Sequence, residues 1–226
     1  MHPFFKKIAE VRPVLTFSIF LATCAFFVVT LIEPSMVTRY ALATSNPSPY
    51  QYVTYIFMHG YLGHLLSNML CLLVFGIMAE TVLTVIGRRG EFILLYFTGG
   101  IAGALVQVFF LHAGKLMLGA SGAVASLMGA CFFIALMRWR DFGLSWWIVR
   151  APLIVWGLFW LSLQAYGLIG LERHTAHVAH LVGFACGLIY AWWRMRIFDD
   201  MAPLDVDPTV SDAEYVLGCI SADEEK

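Results

Sequence analysis

The chain has 226 residues, of which 60% are hydrophobic and 13% charged; its formal net charge is -1 and its mean hydropathy +0.78. Soluble domains carry about 25% charged residues, so this composition reads as an integral membrane protein in a lipid bilayer, and the near-neutral charge excludes nucleic acid as a partner. Of the five cysteines, Cys24, Cys71, Cys131 and Cys186 lie in apolar runs and Cys219 in a polar tail, a spacing that suits neither a disulfide scaffold nor a zinc site.

Residues 1–13, MHPFFKKIAEVRP, form a basic N-terminal segment. The apolar run Val14 to Ile32 that follows is longer than the roughly 7 to 15 residues of a signal-peptide core. The nearest Ala-x-Ala, Ala41-Leu42-Ala43, lies well past its end. An uncleaved anchor helix is expected. The segment from Pro34 to Met58 holds Pro34, Pro47 and Pro49, then Tyr50, Tyr52 and Tyr55. Tyrosine favours the membrane interface, so this long outer loop is expected to lie on or partly in the membrane.

Six runs reach the roughly 20 apolar residues that a helix needs to cross a bilayer. They are 14–33, 62–79, 91–112, 119–137, 146–168 and 175–193. Long apolar runs exclude a β-barrel, whose strands alternate. The expected fold class is therefore all-α: a polytopic membrane protein with a six-helix membrane domain over residues 14–196. Residues 197–226 carry nine acidic residues against one lysine and read as a solvated cytoplasmic tail. The loops sort by charge. One side has Lys6, Lys7, Arg12, Arg88, Arg89, Arg138, Arg140, Arg194 and Arg196; the other has Arg39, Lys115 and Arg173. The positive-inside rule then puts both termini in the cytoplasm.

Polar side chains within spans are costly in lipid and mark function by default. They are His64, Ser67 and Asn68 in span 2, Ser121 and Ser126 in span 4, Ser162 and Gln164 in span 5, and His177 and His180 in span 6, with Glu80 and Glu91 at span edges. Depth follows from the rise of about 1.5 Å per helical residue. Counted from Arg138, Ser121 lies at about 26 Å; counted from Arg194, His180 lies at about 21 Å. Counted from Glu80, His64 and Asn68 lie at about 24 Å and about 18 Å. All four share the outer half of a core about 30 Å thick.

Two stripes of small residues would let spans 4 and 6 approach: Ser121, Ala125 and Gly129 on one, His180, Gly183 and Gly187 on the other. Plain helix packing explains these stripes equally well and is compatible with a site. Gly119 and Gly122 suit a tight entry into span 4, where free N–H groups stabilise an anion. Ser121 reads either as a helix cap or as a nucleophile. In the second case His180 takes the serine proton and returns it to the leaving amine. No carboxylate lies at this depth to complete a triad, so the pair reads as a dyad. His64, Asn68 and the Ser121 N–H are the candidate oxyanion donors. Neither cofactor nor metal is required.

Three motifs in this order resemble the rhomboid family of intramembrane serine proteases: His59-Gly-Tyr-Leu-Gly-His64-Leu-Leu-Ser-Asn68, Gly119-Ala-Ser121-Gly122, and Ala179-His180-Leu-Val-Gly183 with Gly187. The resemblance covers residues 10 to 196. It implies a bacterial-type six-helix core in a cytoplasmic (inner) membrane. It also implies single-pass or polytopic transmembrane protein substrates, cleaved near the outer face. It makes Ser121 the nucleophile, His180 the general base, and Asn68 and His64 oxyanion-hole residues. His59 becomes a structural support, and Glu80 a residue steadying the cytoplasmic end of its helix. Some members carry a tyrosine four residues after the serine, packed on the catalytic histidine. Ala125 stands there instead, which leaves the orientation of His180 to another group. The competing readings are a metal site on His174, His177 and His180, a transporter, and a non-catalytic rhomboid-fold chaperone or binding protein. His177 reads as a polar neighbour of the pair.

Overall fold

The computed structural model describes residues 10–110, 115–137, 150–169 and 176–201, the last seven by backbone alone. The basic residues Lys6, Lys7, Arg138, Arg140 and Arg173, the side chain of Arg196, and His112, Glu172, His174, Cys219 and the tail from residue 202 lie outside this description.

Helix α1 spans Val14–Ile32. Its buried residues, Thr16, Ile19, Thr23, Phe27 and Thr30, recur every three or four positions and form one face, while Phe17, Leu21, Val28 and Leu31 are exposed. The outward face is thus large and apolar, while three of the five inward residues are threonines, the small polar type that packs well between membrane helices. Two of these threonines bond within their own helix: Thr23 Oγ1 donates to the Ile19 carbonyl and Thr30 Oγ1 to that of Phe27.

The long outer loop is more structured than its prolines suggest. It holds α2 (Ser35–Tyr40), the two-residue strand β1 (Leu42–Ala43), α3 (Gln51–Thr54) and a 3-10 turn over Tyr55–Phe57. Strand β1 pairs antiparallel with β2 (Leu116–Met117), Leu42 facing Met117 and Ala43 facing Leu116. Tyr50 is exposed, as an interfacial tyrosine would be, but Tyr55, Ile56 and Met58 are buried. Tyr55 Oη donates to the Gly100 carbonyl over 2.7 Å. The loop therefore plunges into the bundle instead of lying across it, because a hydroxyl that reaches a backbone carbonyl is satisfied without interfacial water.

Helix α4 (Leu62–Cys71) runs through a π turn, Leu72–Gly76, into α5 (Ile77–Val85). The combined Leu62–Val85 rod is longer than the expected 62–79, and Glu80 lies inside it. The apolar run stops at Glu80, but the helix does not, since the carboxylate is fully partnered. Its oxygens accept the N–H groups of Leu15 and Thr16, the Thr16 hydroxyl and the Arg89 guanidinium. The first two are first-turn donors of α1 that have no partner within their own helix. Glu80 thus caps a neighbouring helix.

Helices α6 (Glu91–Phe110), α7 (Ser121–Met137), α8 (Ala151–Ile169) and α9 (His177–Met201) complete the bundle. Among the described residues four helices are long and apolar enough to cross a membrane: Val14–Ile32, Leu62–Val85, Glu91–Phe109 and Ala151–Ile169. The other two expected spans are helical but differ in kind. Helix α7 has only 17 residues and is buried almost all round. Helix α9 is diluted by His177, His180, Trp192, Trp193 and Arg194. The expected apolar runs therefore consist of four helices with the length and hydropathy of a span, one short helix enclosed by protein and one more polar helix.

Helices α7 and α9 press together backbone to backbone. A Cβ at Gly183 would overlap the Gly122 carbonyl, one at Gly187 the Ser126 carbonyl, and one at Gly129 the Phe184 carbonyl. The stripe on α7 that meets α9 is thus Gly122, Ser126 and Gly129, turned by one residue from the expected Ser121, Ala125 and Gly129.

Candidate active site

Ser121 is the first residue of α7. The chain enters it through Gly119, whose φ of 119° is a left-handed conformation disfavoured for L side chains. A Cβ there would also stand 2.7 Å from the His64 ring. The Gly119 N–H donates to the Tyr55 carbonyl, and the Ala120 N–H points at His59 Nε2 over 3.5 Å. His59 is buried, its Nδ1 is 3.3 Å from the Phe57 carbonyl, and its ring lies 4.9 Å from that of His64. His59 therefore ties the plunging loop to the entry of α7. Gly122 has an ordinary helical backbone and room for a Cβ; only Gly119 serves the turn.

His180 occupies the first turn of α9. The preceding residue is held on two sides: the Ala179 N–H donates to Gln107 Oε1 over 3.0 Å, and a Cβ at Gly103 would sit 2.6 Å from the Ala179 carbonyl. Gln107, on α6, is absent from the polar set read from sequence, where it passes for one amide in an apolar run. His180 Nε2 lies 2.6 Å from Ser121 Oγ. The Ser121 hydroxyl thus turns toward the imidazole.

The far side of His180 meets α8. Its Nδ1 is 2.8 Å from Gln164 Oε1, and His177 Nδ1 is 2.9 Å from the same oxygen. The Trp160 ring lies 5.9 Å from the His180 ring. Trp160 and Gln164 are one helical turn apart and share a face. Gln164 stands among the polar groups within spans without a role, and Trp160 is not singled out there. Their i,i+4 spacing was the available signal.

His64, Asn68, Ser121 and His180 all line one cavity of about 890 Å³. It is walled by Tyr61, Leu70 and Val74 on one side and by Pro152, Trp156 and Trp160 on the other, so it lies between the α4 rod and α8. Asn68 Nδ2 gives one hydrogen to the His64 carbonyl over 2.9 Å; an amide nitrogen carries two. Gly119 and Gly122 flank the serine, and Gly183 and Gly187 let α9 come close enough to deliver His180.

The remaining polar groups are structural. Ser67 Oγ donates to the His64 carbonyl, Ser162 Oγ to that of Leu158, and Ser126 Oγ to that of Leu95. Among the described residues no group of three or more histidines, cysteines or acids is placed to hold a metal; both Nδ1 atoms of His177 and His180 are turned to Gln164.

A family model described as a Rhomboid domain matches residues 46–197. The chain is 31% identical over 136 residues to RHOMBOID-like protein 1 of Arabidopsis thaliana, covering 60% of this chain and 32% of that one. It is 32% identical over 174 residues to Rhomboid-related protein 2 of Mus musculus, covering 74% and 55%. It is 29% identical over 147 residues to Rhomboid protease GlpG of Serratia proteamaculans, covering 65% and 49%. The chain thus spans about a third to about half the length of these curated relatives.

Proposed function

The chain belongs to the rhomboid family, and from that premise we propose that it is an intramembrane serine endopeptidase acting on transmembrane protein substrates. The observation that carries this reading is the 2.6 Å approach of His180 Nε2 to Ser121 Oγ at the wall of an open cavity. The hydroxyl donates its proton to Nε2 as Oγ attacks the scissile carbonyl carbon. The carbonyl oxygen becomes an oxyanion, which the Ser121 N–H at the start of α7, Asn68 and His64 stabilise. The imidazolium then protonates the leaving amine, and the C–N bond breaks. Water, deprotonated by the same imidazole, hydrolyses the acyl-enzyme and frees Ser121. No cofactor enters these steps.

The substrate reaches Ser121 as an extended segment near the outer face. The charge distribution supports this orientation. Arg89 bonds both Glu80 and the Arg12 carbonyl, and Arg194 pairs with Glu91 over 2.9 Å, so arginines gather at the end of the bundle away from Ser121. With that end cytoplasmic, six crossings leave both termini inside. The organisation is then a cytoplasmic segment 1–13, a six-helix membrane domain 14–196 and an acidic cytoplasmic tail 197–226. We propose a bacterial cytoplasmic membrane as the setting. The test is incubation of the purified chain with a model transmembrane substrate, followed by product sequencing. A single cut near the outer end of the substrate helix, absent with Ser121→Ala, is the expected result. Equal cleavage by correctly inserted Ser121→Ala would end this reading.

A further inference from the structure

We propose that Gln164 is the positioning residue for His180, doing with a neutral amide what a carboxylate does in a triad; this rests on the dyad described above. Ala125 offers His180 no ring to lean on, and no acid side chain bonds its Nδ1 among the described residues. Helix α8 supplies both missing contacts from one face. Trp160 covers the imidazole, and Gln164 Oε1 sits 2.8 Å from its Nδ1.

The direction of the amide decides the chemistry. With Oε1 toward the rings, His180 carries its proton on Nδ1 and leaves the Nε2 lone pair to accept from Ser121. With the amide reversed, Nδ1 would accept, the proton would sit on Nε2, and the imidazole would point a donor at the hydroxyl it must deprotonate. The second histidine shares this choice. His177 Nδ1 reaches the same Oε1 over 2.9 Å, and a carbonyl oxygen has two lone pairs for two donors. His177 is itself seated by Gly167, one turn beyond Gln164, where a Cβ would overlap its ring. With Oε1 seated between the two rings, as it stands here, the carbonyl takes two N–H donors and holds the His180 tautomer.

A neutral acceptor also suits the location. Gln164 is buried in an apolar helix, where an ionised carboxylate would carry a desolvation penalty of several kcal/mol. When His180 becomes imidazolium, the Nδ1–H···O=C bond becomes charge-assisted and shortens. It is then stronger in the transition state than in the resting state, so its loss falls on kcat.

The test uses the full chain in detergent micelles with isotope-labelled histidine. Heteronuclear NMR reads which ring nitrogen of His180 carries the proton, without need of turnover. The expected result is an Nδ1-protonated neutral ring in wild type and a mixture of tautomers in Gln164→Leu. Turnover in Gln164→Leu should fall about 10- to 100-fold in kcat with KM nearly unchanged, less than the roughly 10⁴-fold that a wrong tautomer costs a charged triad. Gln164→Glu restores an acceptor and should recover part of that loss. An Nε2-protonated His180 in wild type would overturn the proposal even if Ser121 is the nucleophile. So would a folded Gln164→Leu with unchanged tautomer and turnover. Absence of Ser121-dependent cleavage with an Nδ1-protonated His180 would instead strike the protease reading and leave the positioning bond standing.

Discussion

Two of the polar clusters in this apolar bundle are built on opposite plans. At one end a charge, Glu80, is fully buried and surrounded by donors from α1 and by Arg89. At the other, a neutral chain runs from Gln164 through His180 to Ser121. About 16 residues of the same helical rod separate Glu80 from His64, roughly 24 Å along the axis. The charged cluster leaves its carboxylate no idle lone pair and lies off the cavity. The neutral one ends on a hydroxyl that lines it. A saturated cluster holds helices together; a cluster that ends on an unsaturated group at a cavity is available for reaction.

That contrast is open to a direct attack. Removing the reacting end should abolish function and spare the fold. Ser121→Ala and His180→Ala should each eliminate detectable cleavage while thermal unfolding in detergent stays near wild type, and the double variant should be little worse than either, because residues acting as one unit are not additive. Additive losses in initial rate would separate the pair.

The saturated cluster should behave in reverse. Glu80→Ala strands the α1 donors, and each buried donor left without a partner costs about 1–3 kcal/mol, while Arg89, whose side chain is 38% exposed, turns to solvent. A marked fall in unfolding midpoint is expected, with the folded fraction still cleaving at the wild-type rate. A lost rate at wild-type stability would move Glu80 into the chemistry.

Within the reactive end, Asn68→Ala should lower kcat by about 10² to 10³, the worth of one oxyanion donor, with little change in KM. Undiminished kcat in Asn68→Ala and in its double with His64→Ala would remove both from the hole.

The smallest effect sharpens the geometry around Ser121. Gly122→Ala meets only ordinary contacts at 3.6 Å and beyond and should shift stability by less than about 1 kcal/mol. Gly119→Ala faces a left-handed backbone and the His64 ring together, and should cost about 1–3 kcal/mol with a measurable drop in rate. Equal tolerance at the two positions would show that the entry turn is not strained.

Much of this was legible in the residues. Apolar runs are long because lipid demands length, so α1, α4, α6, α7 and α9 start within two residues of their expected positions, and the expected start of α8 at residue 146 lies outside the described residues. The polar residues that gather at the cavity were visible because polar groups are rare in such runs. Their assembly was approached through a depth count from the charged residues at the span ends. What surrounds Glu80 lay outside that count: its partners come from α1, some 65 positions away, and no local pattern carries them.

By itself, the sequence determined which segments become helices, that they belong in a membrane, and which end collects arginine, since each of these is a solvation preference summed over nearby residues. Tertiary structure decided the rest: that Tyr55 dives inward, that α7 lays Gly122, Ser126 and Gly129 against the α9 backbone while Ser121 reaches His180, and that Gln164 meets His180. Each of these depends on how two distant helices rotate about their axes and how closely their backbones approach. A rotation of one residue, about 100°, exchanges a hydroxyl for a methyl at the same depth, and the side chains that set it come from other parts of the chain.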